Sequence, residues 1–305
     1  MDRITAAYEQ LIEGFIRWAQ AEDNVRAAFV IGSRARRDHP ADEWSDLDVI
    51  ILADDPRPYV STTGWLAHIG HPWLTFIEST PEGDAFEQRV LFEGGLDVDF
   101  VPSSVGQFRK MLSEGLPPAD AEMVRRGIRV LVDKDGLSER LAPVAAEPVE
   151  PALVGEPEYL NLVSDFWYHT VWTAKKLRRG ELWTAKSCCD VYLKQRLLRM
   201  LEWHTRAVRG PDTDTWMRGR FLEEWADPRA LQALPAIYAH HEEEDVWRAL
   251  EGTMELFRWL AIETGESLGY GYPSNGDDRA TELVRRYFSD RNQPGCGKGR
   301  TTRDG

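Results

Sequence analysis

The spacing of apolar residues changes between residues 142 and 158, and this change constrains the architecture more than any other feature of the chain. Before it, short apolar or alternating segments that are typical of strands lie between helical segments. After it, every long segment has apolar residues three and four positions apart, which is typical of packed helices. The stretch between them, APVAAEPVEPALVGEPE, is rich in Pro, Ala and Glu and has no sustained period, so we predict a linker over 142–158.

These patterns predict an α+β protein of two domains. Residues 1–141 are expected to form a mixed β-sheet domain with helices, and residues 159–290 an all-α helical bundle. The chain has 305 residues, which is long enough for two cores. Its end, over 291–305, has nothing apolar to bury and is predicted to be a disordered tail.

Five segments of the first part carry clear signals. MDRITAAYEQLIEGFIRWAQ predicts a helix, because its apolar residues recur at helical spacing. FEQRVLFEGGLDVDFVPS predicts a hairpin that turns at Gly94 and Gly95. Three further strands are predicted in RAAFVIGS, SDLDVIIL and RVLVDKDG.

Composition excludes several classes of protein. A net charge of -14 and a pI of about 5.0 argue against a nucleic-acid partner, which usually meets a basic surface. No apolar run is long enough for a membrane span, and the opening segment has no signal-peptide core, so we expect a cytoplasmic protein with no membrane partner. No pattern specifies an oligomeric state.

Cysteine and histidine offer no rival chemistry. The 3 cysteines have neither a disulfide framework nor a zinc-ligand spacing, and we expect the adjacent Cys188 and Cys189 to be small buried side chains. His240 and His241 are adjacent and cannot both face one metal from a helix. We expect His204, near the end of a predicted helix, to lie on a polar face.

Two carboxylates stand at the start of an otherwise apolar strand in GSRARRDHPADEWSDLDVIIL. Side chains two apart on a strand point the same way, so Asp46 and Asp48 present their carboxylates together. Two like charges side by side are unfavourable unless something compensates them, and a bound cation is the first candidate. Rigid paired carboxylates suit Mg²⁺, which commonly bridges to substrate phosphates.

The residues before this pair suit a phosphate group. Gly32 lets the backbone approach a phosphate closely, and Ser33 offers a hydroxyl and an amide. Arg34 begins a cluster of arginines that supplies positive charge for a polyphosphate. Each feature alone is common on protein surfaces, and only their combination is specific.

A third carboxylate is needed to complete a metal site for a nucleoside triphosphate. The segment GGLDVDFVP contains Asp97 and Asp99, which share one strand face, so either residue completes the set on spacing alone.

This arrangement of Gly-Ser, Asp-x-Asp and a distant third Asp resembles the nucleotidyltransferase superfamily. More narrowly, the chain resembles the aminoglycoside 6-adenylyltransferases along nearly its whole length. The segments that carry this resemblance are DFWYHTVWTAKKL, LWTAKSCC, EEDVWRALEGTMELFRWLA and ESLGYGYP. Counted from LFE, the third acid of that family falls on Asp99.

The resemblance implies Mg²⁺-dependent transfer of AMP from ATP to a hydroxyl of a cationic, streptomycin-like aminoglycoside, with release of pyrophosphate and loss of antibiotic activity. It implies that Asp46, Asp48 and Asp99 bind the metal, and that Asp99 accepts the proton of the hydroxyl.

The helical half is expected to form the far wall of the cleft. Lys175 and Lys186 follow Ala in the family-like segments and are candidates for the β- and γ-phosphates. Candidates for the cationic sugar are Asp165, Trp167, Glu244 and Tyr270, although core packing or a solvated helix start explains residues of these types equally well.

Two alternatives stay open at this point. The same chemistry can act on another small molecule or on a protein hydroxyl, because the segments over 113–127 and 205–227 match the family only loosely. A non-catalytic nucleotide-binding protein of the same fold is the other alternative, although such a protein has no need of all three acids.

Overall fold

The fold was analysed in a computed structural model that describes residues 3–79, 86–147 and 153–292. The chain divides into two compact units, Met1–Val149 and Glu150–Gly305. Within the described ranges, no helix combines the length and the apolar character needed to cross a membrane.

Unit 1 is built on one mixed sheet of six strands in the order β3-β4-β5-β2-β1-β6. Its strands are β1 (Val25–Ile31), β2 (Leu47–Ala53), β3 (Pro72–Ser79), β4 (Phe86–Phe92), β5 (Leu96–Ser104) and β6 (Arg129–Asp133). Strands β2 and β5 run parallel, and the other neighbours are antiparallel. The predicted α+β class is confirmed.

Helices cover parts of both faces of this sheet. They are α1 (Arg3–Ala21), α2 (Pro58–Ser61), α3 (Val105–Glu114), α4 (Pro118–Arg126) and α5 (Leu137–Ala146). Val49 and Ile51 of β2 face a core shared with α1, whereas Leu52 faces a smaller core shared with α3, α4 and α5. Strand β2 is therefore buried on both faces, as the apolar run after Asp48 predicts.

Strand β3 is the strand of the sheet that the sequence patterns did not predict. It lies at the edge of the sheet, and every residue after Pro72 is exposed. Its apolar residues occupy both faces without alternation, so it lacks the period of a half-buried strand. The strands that were predicted are all present, as are the opening helix and the turn at Gly94 and Gly95.

The predicted linker is helical at both of its ends. Helix α5 runs into the linker as far as Ala146. At the start of this helix, the Asp133 carboxylate accepts hydrogen bonds from the Leu137 and Ser138 amides at 3.0 and 2.8 Å, and Leu141 is buried. The next helix begins at Glu156. The middle of the linker, 148–152, and most of the predicted tail, 293–305, lie outside the described residues.

Within residues 153–292, unit 2 consists of helices and their connections and has no strand, which confirms the predicted helical bundle. Its helices are α6 (Glu156–Arg178), α7 (Leu182–Ser187), α8 (Leu193–Arg209), α9 (Leu222–Trp225), α10 (Pro228–Ala233), α11 (Glu243–Leu268) and α12 (Ser274–Ser289). A π-helical turn, Cys188–Tyr192, joins α7 to α8. Phe166 and Phe257 stack at 3.6 Å between ring centroids in the core of this unit.

The predictions for cysteine and histidine had different outcomes. Cys188 and Cys189 are buried and free, as expected. The prediction for His204 is wrong, because this side chain is only 2% exposed and its Nε2 lies 2.7 Å from Glu263 Oε2. His204 continues the buried stripe of α8 that includes Leu197 and Leu201, which the helical spacing would have revealed.

Candidate active site

Three carboxylates converge where the parallel strands β2 and β5 lie side by side. Asp48 and Asp99 are direct register partners, and Asp46 immediately precedes β2. One carboxylate oxygen from each residue lies within 4.8 Å of the others. Across the described ranges, no other group of three or more His, Cys, Asp or Glu side chains meets this distance.

Asp97 has a different environment from Asp99, although both are on β5. The Tyr8 hydroxyl donates a hydrogen bond to Asp97 Oδ1 at 2.9 Å. Burial, together with this hydrogen bond, raises the pKa of Tyr8 to about 12, so the phenol stays a donor. The structure groups Asp99, and not Asp97, with the other two carboxylates.

The Asp99 side chain is largely removed from water, since the residue is only 8% exposed. Burial raises the pKa of this carboxyl to about 6, and the Arg89 guanidinium opposes the shift. The nearby carboxylates of Asp46, Glu87 and Asp97 add to the rise. Asp99 can therefore take up a proton close to neutral pH.

Arg89 is a site residue that the sequence analysis missed. It is the register partner of Asp99 on β4, and its Nη2 lies 3.3 Å from Asp99 Oδ2. The same guanidinium contacts Glu87 at 3.0 Å and Glu78 at 2.7 Å. Counting outward from the turn at Gly94–Gly95 pairs Arg89 with Asp99, so the predicted hairpin already contained the signal.

Gly32 packs directly against the site. Its φ of 69° is in the left-handed region, and a Cβ at this position would collide with the Asp48 carboxylate. The adjacent Ser33 Oγ is buried and has no hydrogen-bond partner. A polar atom in this condition at a tight turn is ready to accept or donate a hydrogen bond to a ligand.

Arg34, the residue predicted to contact a phosphate, has partners within unit 1. Its Nε donates to the Asp46 carbonyl at 2.9 Å, and its Nη2 donates to the Ser45 carbonyl at 2.6 Å. The guanidinium also lies over the Tyr8 ring, 3.5 Å from its centroid. The two hydrogen bonds hold the backbone that carries Asp46.

The two lysines predicted for ATP lie in unit 2. Lys186, on α7, forms an ion pair with Asp190 of the π-helical turn. Lys175, on α6, is exposed and has no acidic partner in the part of unit 2 that the structure describes.

The four residues predicted for the sugar also lie in unit 2, and all four have partners there. Asp165 receives Arg196 Nε at 2.8 Å and the Tyr192 hydroxyl at 2.9 Å. Trp167 is only 4% exposed, and its Nε1 donates to the Tyr272 hydroxyl at 3.0 Å.

The other two differ in exposure. The Tyr270 hydroxyl donates to the Val154 carbonyl at 2.9 Å, and the side chain is partly buried. Glu244 is exposed and pairs with Arg291 at 3.0 Å. It also lines a cavity of about 510 Å³ between α11 and α12, whose apolar lining includes Trp247 and Phe288.

Comparison with known proteins identifies the family of the chain. The family model described as streptomycin adenylyltransferase matches residues 6–287. An aminoglycoside 6-adenylyltransferase from Bacillus subtilis is 22% identical over 87% of this chain and 92% of its own length. One from Staphylococcus aureus is also 22% identical, over 89% of this chain and 95% of its own.

A solved structure, that of an aminoglycoside 6-adenyltransferase from Bacillus subtilis, aligns with 91% of this chain and 97% of its own, at 18% identity and a TM-score of 0.42. This likeness is too weak for the two structures to be compared residue by residue. The family match, in contrast, spans both units of the chain. The chain therefore belongs to the streptomycin adenylyltransferase family, and it is a nucleotidyltransferase.

Proposed function

We propose that this enzyme transfers AMP from ATP to a hydroxyl group of a streptomycin-like aminoglycoside, in a Mg²⁺-dependent reaction that releases pyrophosphate and inactivates the antibiotic. The observation that carries the proposal is the convergence of the Asp46, Asp48 and Asp99 carboxylates within 4.8 Å. The names of the curated relatives support the acceptor class.

The residues present fit Mg²⁺. All three side chains of the group offer carboxylate oxygens, the ligands that this hard cation prefers. Asp46, Asp48 and Asp99 would hold the metal. When bound, Mg²⁺ neutralises charge on the triphosphate and makes the α-phosphorus more electrophilic.

The chain's own residues supply the remaining chemistry. Asp99 accepts the proton of the attacking hydroxyl as a general base, because its carboxylate belongs to the convergent group at the reacting centre. The free hydroxyl of Ser33 donates to a phosphate oxygen of ATP.

Two lysines are our candidates for supplying positive charge to the triphosphate. Lys175 and Lys186 contact the β- and γ-phosphates as point charges. In the structure the Lys186 ammonium group forms an ion pair with Asp190.

The test is pyrophosphate release from ATP and Mg²⁺ with a panel of acceptors, streptomycin first and other aminoglycosides after it. The Asp48→Asn variant serves as the blank. We expect release that requires the acceptor and Asp48 together, and mass spectrometry should find the AMP adduct of the aminoglycoside. No adduct with any aminoglycoside, in a protein that binds ATP, would contradict the proposal.

A further inference from the structure

The catalytic face of the sheet continues beyond the three carboxylates onto β4 and β3. The strand registers place Asp48, Asp99, Arg89 and Phe76 in one row across four strands. Register partners point to the same face, so Phe76 on the edge strand shares the face of the carboxylates. Leu74 and Glu78, two residues to either side of Phe76, share that face as well.

The carboxylates on this part of the face outnumber the positively charged group that contacts them. Glu78 and Glu87 are direct register partners, and like charges in this position of an antiparallel pair are unfavourable. A single guanidinium, that of Arg89, contacts both glutamates and Asp99 as well. Three carboxylates around one arginine leave a net negative charge. An unfavourable pair of like charges beside a catalytic centre indicates a functional role.

Apolar side chains lie next to these charges and are open to solvent. Leu74 is 65% exposed and Phe76 is 57% exposed, on a strand at the edge of the sheet. An exposed aromatic ring and an exposed leucine, beside carboxylates that share a single arginine, suit a ligand that has both cationic groups and apolar ring faces.

We propose that this surface, formed by Leu74, Phe76, Glu78 and Glu87, binds the acceptor. The inference rests on the proposed function and names the place where the cationic sugar lies. Glu78 pairs with an ammonium or guanidinium group of the acceptor, and Phe76 packs against the C–H face of a sugar ring. Strand β3 lies two strands from β5, about 10 Å away, so one ring contacts Phe76 while a hydroxyl of the next ring reaches Asp99.

The test compares Glu78→Gln and Phe76→Ala with Ile77→Ala. Ile77 is a matched control, because it lies on the same strand and is 42% exposed but points to the opposite face. Initial rates are measured against the concentration of streptomycin, or of the best acceptor in the panel, and separately against ATP. Calorimetric titration of streptomycin into each protein, without ATP, measures binding directly.

We expect Glu78→Gln and Phe76→Ala each to raise the KM for the acceptor about tenfold, while the KM for ATP stays unchanged. The Ile77→Ala variant should match the wild type in both. A merely structural role would lower the melting temperature and shift both KM values together.

Three results would overturn the inference. One is that Glu78→Gln and Phe76→Ala both turn over the acceptor with the same KM as the wild type. Another is equal streptomycin affinity in wild type and Glu78→Gln by calorimetry, which is informative even if no acceptor is turned over. The third is a dimer that is lost in Phe76→Ala with no change in acceptor binding, because β3 would then pair with a second copy of the chain. Failure of the proposed function is distinct, since it appears as the absence of any AMP adduct in the wild type.

Discussion

The two units of this protein each contain a buried aspartate, and the environments of these two side chains differ. In unit 2, Asp277 is 3% exposed and accepts hydrogen bonds from Arg258 Nε and Nη2, each at 2.6 Å. The Tyr272 and Thr281 hydroxyls donate to it as well. In unit 1, Asp99 is 8% exposed and lies beside two other carboxylates, opposed by one arginine at 3.3 Å.

The pKa shifts follow this difference. Burial alone would raise the pKa of Asp277, but the hydrogen bonds from Arg258, Tyr272 and Thr281 outweigh it, and the pKa is lowered. Burial dominates at Asp99, and its pKa is raised. The structural carboxylate, Asp277, has hydrogen-bond partners that favour its charged form. The carboxylate at the candidate active site, Asp99, has nearby negative charge that a bound cation would neutralise.

The largest expected effect is on catalysis at the convergent carboxylates. Asp48→Asn should lower the rate of pyrophosphate release at least about 10³-fold, because the variant loses a metal ligand. Its free energy of unfolding without metal should be equal to or above that of the wild type, because one of three like charges is removed. Steady-state kinetics and urea denaturation in EDTA measure the two quantities. A variant that unfolds easily would give Asp48 a structural role.

Asp277→Asn should show the reverse pattern. Breaking a buried charge pair leaves Arg258 uncompensated, and we expect the free energy of unfolding to fall by about 3 kcal/mol. Urea denaturation of the two variants side by side is the measurement. The comparison between the units fails if Asp277→Asn is as stable as the wild type.

Gly32→Ala combines backbone strain with a collision at Asp48. We expect the rate of pyrophosphate release to fall about 100-fold and the protein to lose about 1–2 kcal/mol of stability. Gly136→Ala is the matched control, because Gly136 has a φ of 67° but a Cβ there meets nothing within 4 Å. Equal activity loss in both variants would assign the effect of Gly32 to strain alone.

The pH dependence of stability should have opposite signs at the two aspartates. The pKa of Asp99 rises from 3.8 to about 6 on folding, so the native state binds more protons between these values. Its contribution therefore falls as the pH rises from about 4 to 6 in metal-free protein, and Asp99→Asn should remove this slope. Asp277 has a lowered pKa, and its contribution is lost as the pH falls below the ordinary range of a carboxyl group. Urea denaturation across pH 3–7 in EDTA compares the two variants with the wild type.

Much of the catalytic face could be predicted from the sequence, because strand geometry fixes which side chains meet. The spacing of Asp46 and Asp48 predicted that their carboxylates lie together. The turn at Gly94–Gly95 predicted the hairpin that carries Asp99. The choice between Asp97 and Asp99 was not accessible from spacing, since it depends on the parallel register of β2 and β5, which pairs Asp99 with Asp48.

Other features depend on tertiary contacts that have no local signal. Arg34 belongs to a cluster predicted to bind phosphate, and the hydrogen bonds from its Nε and Nη2 to the Asp46 and Ser45 carbonyls had no signal in the sequence. Strand β3 has no alternation, because both of its faces are open to solvent. Trp167 and Asp165 have residue types that suit a sugar site, and only the packing of unit 2 shows that they are engaged there.

The most direct test of the central claim, that the convergent carboxylates form a cation site, is Mn²⁺ binding followed by electron paramagnetic resonance in wild type, Asp99→Asn and Asp97→Asn. Asp97→Asn is the matched control, since it removes a carboxylate from the same strand but outside the group. We predict that Asp99→Asn loses Mn²⁺ binding and that Asp97→Asn retains it. Loss in Asp97→Asn with retention in Asp99→Asn, or no binding in the wild type, would contradict the account.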